Sequence, residues 1–254
     1  MNWRKGWSPV LVLLLFLLVW ELAVRIFNVP AWLLPSPVQI GHELITGVGV
    51  YSSHLVPTVQ LTLAGLATGS VFGVITAVLL HNVPFLREAV YPLIIISQNI
   101  PTIVLAPLLV IWFGFGTLPK LIVIILVCFF PVTVALLDGF RRSDPDLMNY
   151  MKMAGATKRQ IFWKLEWPQS LPSLFSGLKI SATYSVMGAV ISEWLGARQG
   201  IGVYMTFASS SFRTDRVFVA IFFIVLFSLT LFLAIQLLEK IVIRWHPKEG
   251  NNDG

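Results

Sequence analysis

The chain has 254 residues, of which 56% are hydrophobic and only 12% are charged, and its mean hydropathy is +0.81. A soluble domain of this size usually has about twice that charged fraction, so the composition excludes an ordinary soluble enzyme domain. The formal charge of +6 could suggest a nucleic-acid partner, but the basic residues are scattered around apolar runs and indicate membrane orientation instead. The runs are continuous rather than alternating, which argues against a β-barrel. We therefore expect an all-α polytopic membrane protein with one transmembrane domain.

Six apolar runs are long enough to cross a membrane as helices. They lie at about residues 8–27, 55–80, 89–112, 118–137, 173–195 and 217–242, and a polar tail follows at 239–254. The first run lacks a small-residue cleavage site, which favours an uncleaved span over a signal peptide. Six spans put both termini on one side, and most of the 18 Lys and Arg residues fall on that side. The positive-inside rule therefore predicts a plasma (inner) membrane protein with both termini in the cytoplasm.

The segment at about 36–46, between the first two runs, is predicted to be a short amphipathic helix at the outer membrane surface. Ser36 and Gln39 have the spacing of a capping box, and Pro37 stands at the first helical position. Gly47 follows the segment and provides a place for the helix to end.

The second run carries a stripe of small residues with a spacing of four. Its members are Gly65, Gly69, Gly73 and Ala77. A face with almost no side chains lets another helix approach closely in lipid. We interpret the stripe as a helix-packing surface.

The third run is interrupted by prolines, and three polar residues, Ser97, Gln98 and Asn99, come shortly before Pro101. A proline frees backbone carbonyls that need partners in the membrane. The pattern predicts a bent helix that lines a cavity; a hydrogen-bonded cluster between helices is the alternative.

The fifth run carries a second polar stripe, with Ser181, Ser185 and Ser192 at helical spacing and Tyr184 at its border. Together with Gln98 and Asn99 of the third run, these residues are predicted to line a translocation path. Glu193 stands at the end of the run, where a carboxylate can reach water. We expect it to face the pore mouth or the membrane interface without a buried partner.

A polar, basic segment at 144–172 separates the fourth and fifth runs and has the pattern helix, glycine, helix. Asp144 and Pro145 are typical of a helix start, and Leu147, Met151 and Ala154 form one apolar face. Gly155 is the predicted stop, and Thr157 with Gln160 forms a capping box for a second helix to about Leu165. Pro168 and Pro172 are expected to end that helix before the fifth run. On the predicted topology, this hairpin lies in the cytoplasm.

The residues that ATP or metal chemistry requires are missing from the sequence. The phosphate-binding pattern G-x-x-x-x-G-K-[ST] is not present, and the four histidines show no ligand spacing. The glycine pairs at 114/116 and 200/202 are interpreted as turn residues, and Cys128 as a packing residue. The spans hold almost no ionisable residues, unlike those of a proton-coupled carrier. We expect a non-catalytic transport subunit with no cofactor or metal of its own, powered from outside the chain.

The segment around Gly155 resembles the cytoplasmic loop of ABC importer permeases. That loop has the pattern E-A-A, three residues, Gly, nine residues, Ile, any residue, Leu-Pro. Gly155 and Pro168 have the right separation, and Leu165 takes the Ile position, whereas residues 149–151 and Trp167 depart from the pattern. The LPSP sequence at 34–37 and the run at 182–205 resemble the sulfonate, taurine and nitrate branch, and the latter run is most similar to permeases for pyrimidine precursors of thiamine.

This resemblance implies a translocation path formed by two copies, a solute-binding protein outside, and two ATPase subunits inside that bind ATP and Mg²⁺. It implies that the hairpin contacts the ATPase and passes motion to the fifth span. The expected contact residues are Met151, Lys152, Ala154, Gly155, Ala156 and Thr157, with Pro168 in the same motif. The solute is expected to be a pyrimidine precursor of thiamine, with a sulfonate, taurine or nitrate as the alternative. An alternative of another class is a membrane scaffold or a channel without an ATPase.

Overall fold

A computed structural model describes residues 3–244, and every regular element among them is helical. This confirms the all-α prediction. The part of the predicted polar tail from residue 245 lies outside the described residues. In chain order the helices are α1 Trp3–Ile26, α2 Pro37–Thr46, α3 Val48–Asn82, α4 Pro84–Ser97, α5 Thr102–Phe113, α6 Thr117–Arg141, α7 Pro145–Met153, α8 Lys158–Ile161, α9 Trp167–Glu193, α10 Ile201–Ser210 and α11 Thr214–Val242, with a π-helical turn at Phe162–Glu166 between α8 and α9.

Within residues 3–244, five helical segments are long and apolar enough to cross a membrane. They are α1, α3, α6, the continuous stretch from α8 through α9, and α11. A sixth crossing is possible where α4 and α5 follow one another. Large exposed side chains on α1 and α11 are mainly apolar, as expected for helices that face lipid.

Helices α4 and α5 occupy the region of the predicted third span and meet at an angle of 100°. The break lies at residues 98–101, where the sequence places polar residues before Pro101. Helix α4 has 14 residues and α5 has 12, so each extends only about 20 Å, whereas the hydrocarbon core is about 30 Å thick. The predicted bend is confirmed, and its size makes this pair either a broken span or a re-entrant loop.

Helix α6 is the centre of the bundle, and the glycine stripe of α3 packs against it. A methyl group added at Gly65 would meet the Ile124 side chain, and one added at Gly69 would meet the backbone of Ile125. At Gly73 the nearest atom is the carbonyl oxygen of Phe129, 2.9 Å away. The predicted packing role of this stripe is confirmed, because the two backbones approach too closely for larger residues.

Helix α9 packs on α6 through another set of small residues. Gly177 lies against the carbonyl of Pro131, and near the other end of the same contact Gly139 lies against Ser170. Cys128 is fully buried in this region, as predicted for a packing residue. Through this packing, α9 is held along the length of the central helix.

The predicted amphipathic helix is α2, and it is anchored to α11 by charged residues. The Ser36–Gln39 capping box is present, which confirms the predicted helix start. Glu43 accepts hydrogen bonds from Arg213 at 3.0 Å and from Arg216 at 2.8 Å. Hydrogen bonds to Asp215 raise the pKa of the Arg213 guanidinium, which therefore stays charged.

Candidate coupling hairpin and transport cavity

The hairpin, which we define as residues 144–166, begins with a helix capped by its own neighbours in sequence. The Asp144 carboxylate accepts hydrogen bonds from the backbone N–H groups of Asp146, at 2.8 Å, and Leu147, at 3.2 Å. Pro145 occupies the first helical turn, where an N–H group would have no partner. The predicted start of α7 is confirmed.

Gly155 ends α7 in the left-handed conformation, with φ of +79°. The N–H of Gly155 donates to the carbonyl of Lys152, and the N–H of Ala156 donates to that of Met151. This is the Schellman arrangement, which satisfies carbonyls at the end of a helix. A methyl group at position 155 would meet no atom within 4 Å. Glycine is therefore favoured here by backbone conformation and not by close packing.

The second half of the hairpin starts with the predicted capping box. The N–H of Gln160 donates to the Thr157 hydroxyl at 3.3 Å, and the N–H of Thr157 donates to the Gln160 side chain at 2.8 Å. Two otherwise free N–H groups are thereby satisfied. The glycine and the capping box together fix the turn between α7 and α8.

The prediction that Pro168 and Pro172 end the second helix is wrong. The chain continues through both prolines into α9, so residues 158–193 form one helical rod. A π-helical turn at Phe162–Glu166 makes this possible: the N–H of Trp167 donates to the carbonyl of Phe162, five residues earlier. Pro168 comes directly after this turn, where the altered hydrogen-bond register accommodates its missing N–H. The second half of the hairpin and the membrane-crossing segment are thus parts of one continuous helix.

The tip of the hairpin is exposed, and it presents apolar side chains in addition to the expected contact residues. Of those residues, Lys152, Ala154, Gly155 and Thr157 are exposed, whereas Met151 and Ala156 are half-buried. Two large exposed apolar side chains of α7 were not among the expected contact residues: Tyr150 is 67% exposed and Met153 is 81% exposed. Leu147, predicted for the apolar face, is also exposed. A polar element that exposes large apolar residues is typical of a contact surface.

The base of the hairpin is attached to the rest of the bundle by side chains. The N–H of Asp144 donates to the Gln169 side chain at 3.0 Å. His81, near the end of α3, lies 2.9 Å from Glu166 of the π-helical turn and stacks on Phe140 of α6. Among the described residues, the contacts that hold the hairpin lie where it joins α9, and its tip is exposed.

A cavity of about 340 Å³ lies beside the break between α4 and α5. Gln98 and Tyr184, two of the predicted path residues, both line it. Asn99 is exposed nearby but is not part of the lining, and its side chain donates to the carbonyl of Ile95. The lining combines apolar side chains with a few neutral polar groups, and none of the described residues in it is charged: Ser97, Gln98, Ile100, Thr102, Leu105, Leu126, Val127, Phe129, Phe130, Pro131, Tyr184 and Met187.

The structure does not place the three predicted path serines at this cavity. Ser181 and Ser185 are fully buried, and Ser192 is 2% exposed. The hydroxyl of Ser181 donates to the carbonyl of Cys128 on α6, and those of Ser185 and Ser192 donate to carbonyls of their own helix. Ser181 thus joins α9 to α6, and all three serines are buried and do not line the cavity, which corrects the predicted path.

The expectation for Glu193 is also wrong. Its side chain is 2% exposed at the end of the bundle opposite the hairpin, which we call the far end. It accepts hydrogen bonds from the Thr58 hydroxyl at 2.7 Å and from the Gly202 N–H at 2.8 Å. Thr58 in turn accepts from the N–H of Ile201, and His54 accepts from that of Gly200. Side chains of α3 and α9 thus cap the first N–H groups of α10.

Gly200 and Gly202, interpreted from the sequence as turn residues, are required by this network. A methyl group at Gly200 would lie between 2.2 and 2.4 Å from the Glu193 carboxyl atoms, and φ of Gly200 is +137°. At Gly202 the nearest atom is the carbonyl oxygen of Val190, 2.6 Å away. Both glycines let the backbone approach α9, so the G-x-G pattern reflects close packing as well as turning.

Comparison with known proteins shows which family the chain belongs to. The model of the family described as binding-protein-dependent transport system inner membrane component matches residues 69–244, which is more than half of the chain. The chain belongs to this family of ABC importer permeases. The matched region contains the hairpin, the cavity beside the break and most of the far-end network.

Relatives of this permease match over nearly its whole length. The formylaminopyrimidine transport permease protein ThiX of Halalkalibacterium halodurans is 37% identical over 243 residues, which are 95% of this chain and 97% of that protein. The riboflavin transport system permease protein RibX of Chloroflexus aurantiacus is 30% identical over 96% of this chain and 91% of that protein. The taurine transport system permease protein TauC of Escherichia coli is 26% identical over 92% of this chain and 88% of that protein.

A solved structure shares the fold of this permease. A crystal structure described as an amino acid ABC transporter with histidines matches with a TM-score of 0.66 at 15% sequence identity. The match covers 78% of this chain and 97% of that one. At this identity the likeness concerns the helical arrangement alone.

Two groups of residues in this permease were missed by sequence reasoning. Tyr150 and Met153 have helical spacing on α7, and a search for apolar residues outside the predicted face of the hairpin could have found them. Glu193 and Thr58 are separated by 135 residues and have no local pattern in common. The only available signal was the presence of a carboxylate shortly before a G-x-G sequence.

Proposed function

We propose that this ABC importer permease forms, with a second copy of itself, the path for a small uncharged heteroaromatic solute, such as a pyrimidine precursor of thiamine. The proposed orientation puts the hairpin and both termini in the cytoplasm. A partner ATPase docks on the hairpin and binds ATP and Mg²⁺, so the permease itself is non-catalytic. A solute-binding protein delivers the solute at the far end.

The observation that carries the ATPase contact is the continuity of the hairpin with α9. The tip exposes Tyr150 and Met153, and the rod that follows it runs from residue 158 to residue 193 without interruption. A partner that moves the tip would therefore move a helix that packs along α6 and borders the cavity at Tyr184. Coupling of this kind requires different contacts of the tip in two states of the transporter. Met151, Lys152, Ala154, Gly155, Ala156 and Thr157 belong to the proposed contact, and Pro168 to the junction with α9.

The solute proposal rests on the character of the cavity and on one relative. Gln98 and Tyr184 offer an amide and a phenol, while Phe129 and Phe130 offer aromatic walls. Neutral hydrogen-bonding groups between aromatic side chains suit a planar ring with nitrogen atoms. The relative ThiX is a formylaminopyrimidine permease by name. A sulfonate, taurine or nitrate path, the alternative, would be favoured by a cationic lining, which the described part of this cavity does not have.

The coupling proposal is tested with two glycines that both have a positive φ. Gly155→Val is expected to abolish ATPase association and solute uptake, because a β-branched residue resists the left-handed conformation that forms the turn. Gly114 also has a positive φ, of +75°, with ψ of −177° and open space around it, so Gly114→Val imposes at least as much backbone strain away from the hairpin. Copurification of the ATPase and uptake into vesicles are measured for both. Normal uptake by Gly155→Val would reject the proposed lever.

The solute proposal is tested by reconstitution with the partner binding protein and ATPase. Vesicles are expected to accumulate formylaminopyrimidine and not taurine, and Gln98→Ala with Tyr184→Phe is expected to slow uptake. Cysteines at positions 98 and 184 should react with aqueous thiol reagents, whereas a cysteine at the lipid-facing position Leu11 should not. Preferential uptake of taurine would favour the alternative.

A further inference from the structure

A second cavity lies at the hairpin end of the bundle, away from the proposed path. It has a volume of about 290 Å³ and is lined by residues of α4 together with the last residue of α6. The lining residues are Pro84, Arg87, Glu88, Tyr91, Pro92 and Arg141. Two guanidinium groups and one carboxylate therefore face a shared space, which carries a net positive charge.

Neither arginine is neutralised by a close ion pair. The Arg87 side chain makes no hydrogen bond or ion pair with the described residues, although Arg87 is only half-exposed. Arg141 has one ionic neighbour, Asp138, at the long distance of 3.8 Å, and both side chains are about half exposed, so this pair contributes little. The cavity therefore offers guanidinium N–H groups that have no close acceptor in the part of the chain that the structure describes.

An aromatic ring holds one of the two guanidinium groups at the cavity. The guanidinium carbon of Arg141 lies 5.5 Å from the centre of the Tyr91 ring, in a cation–π arrangement. A guanidinium over a ring face keeps the N–H groups on its edge free for an acceptor. Because the side chain is already positioned, less conformational entropy is lost when a ligand binds.

The surroundings of the cavity indicate where the acceptor comes from. Arg87 lies in the first turn of α4 and Arg141 in the last turn of α6, so both stand where apolar segments end. The neighbouring face of α4 exposes Phe85, which is 80% exposed, together with Leu93 and Ile96. An exposed apolar stripe beside a pair of arginines at a membrane boundary has the character of a surface in contact with acyl chains and headgroups.

From this placement, we propose that the cavity binds a phosphate group through Arg87 and Arg141, and that the phosphate belongs to the headgroup of an anionic membrane lipid. Two guanidinium groups match the oxygens of a phosphodiester, and the lipid tails extend along the stripe that begins at Phe85. Glu88, on the rim, disfavours a ligand with more than one negative charge. Phosphatidylglycerol, with its single charge, fits this balance.

The test uses the full-length protein purified in a neutral detergent and titrated with phosphatidylglycerol, with bound lipid counted by native mass spectrometry. Arg87→Gln and Arg141→Gln are each expected to weaken the tightest phosphatidylglycerol site by about tenfold, since each removes a charge-assisted contact. Arg142→Gln is the matched control, because Arg142 is exposed and adjacent but does not line the cavity. The affinity of Arg142→Gln for phosphatidylglycerol should stay within about twofold of that of the unchanged protein.

Two further arms distinguish the source of the phosphate. Phosphatidylcholine, whose headgroup carries a compensating cation, is expected to bind the unchanged protein more weakly and to respond little to either substitution. Inorganic phosphate is expected not to displace phosphatidylglycerol; displacement that Arg87→Gln and Arg141→Gln abolish would support the phosphate site but assign it to the free ion. Equal binding by Arg141→Gln and Arg142→Gln would overturn the proposal. Unchanged lipid binding with loss of ATPase copurification in the two variants would also overturn it, by assigning the arginines to a protein partner.

Discussion

The hairpin and the far end of this permease both hold the start of a short helix, but they do so in opposite ways. At the hairpin, Thr157 and Gln160 cap α8 from three residues apart, in an exposed position. At the far end, His54, Thr58 and Glu193 cap α10 from distant parts of the chain, and the carboxylate is almost fully buried. One end is built from local contacts and can move as a unit, whereas the other joins three helices.

This difference suits the two ends to different tasks. A locally capped element keeps its shape when its surroundings change, so the hairpin can follow a partner without unfolding. Helices α3, α9 and α10 cannot separate without breaking the far-end network, which would leave N–H groups unsatisfied and expose a buried carboxylate. We therefore expect motion of α9 to carry α10 with it at the far end.

The largest effect on stability should come from Glu193→Ala. The substitution leaves the Gly202 N–H without its acceptor in a buried site, leaves the Thr58 hydroxyl only its longer hydrogen bond to the His54 carbonyl, and creates a cavity. We expect the free energy of unfolding to fall by about 3 kcal/mol. The free energy of unfolding is measured by SDS-induced unfolding in mixed micelles of SDS and a neutral detergent.

Glu88→Ala serves as the control for this measurement, because Glu88 is exposed and its side chain has no hydrogen-bond partner among the described residues. It should change stability by no more than about 0.5 kcal/mol. Equal losses in the two variants would mean that the far-end network does not hold the helices together.

A smaller difference is expected between two glycine substitutions. Gly200→Ala adds a methyl group within 2.4 Å of the Glu193 carboxyl atoms at a positive φ, and should cost about 2 kcal/mol. Gly155→Ala imposes a positive φ in open space, and should cost about 1 kcal/mol. The same unfolding measurement compares them. If Gly155→Ala costs as much as Gly200→Ala, close packing at the far end is not what distinguishes the two sites.

These contrasts also show which parts of the molecule could be predicted from the sequence. Caps and turns at Ser36, Asp144, Gly155 and Thr157 were predictable because each partner lies within a few residues. The stripe on α3 was predictable because small residues recur at helical spacing, whichever helix they contact.

The errors at Glu193, the serines and the prolines concern long-range contacts or helix continuity. The burial of Glu193 depends on Thr58, which is 135 residues away, and the packing of the serines depends on which face of α9 meets α6. The continuation through Pro168 depends on a π-helical turn, whose altered hydrogen bonding the proline pattern does not reveal. A short-range pattern can show that a polar residue lies in a span, but not whether it faces a cavity or another helix.

The locality of the hairpin can be tested with its N-cap. Thr157→Ala removes one side-chain acceptor from an exposed helix start and should cost up to about 1 kcal/mol locally. Because the tip of the hairpin is exposed, we expect faster hydrogen exchange in residues 157–161 and almost no change in exchange of α10. Thr157→Ser keeps the acceptor and should restore the original rates. Faster exchange in α10 of Thr157→Ala would show that the two ends are energetically coupled.

The smallest effect is expected at a tyrosine of the far end, and it tests whether burial alone makes a polar group important there. Tyr51 and Tyr204 are both buried, but only Tyr51 has a partner among the described residues: its hydroxyl donates to the carbonyl of Leu44 at 2.7 Å. Burial raises the pKa of Tyr204, so its hydroxyl stays neutral at pH 7. Tyr51→Phe should cost about 1 kcal/mol, whereas Tyr204→Phe should change stability by less than about 0.5 kcal/mol, because it removes a group that makes no hydrogen bond. Comparable losses in unfolding would mean that the Tyr204 hydroxyl has a partner such as a buried water, and that the far-end network extends beyond Glu193 and Thr58.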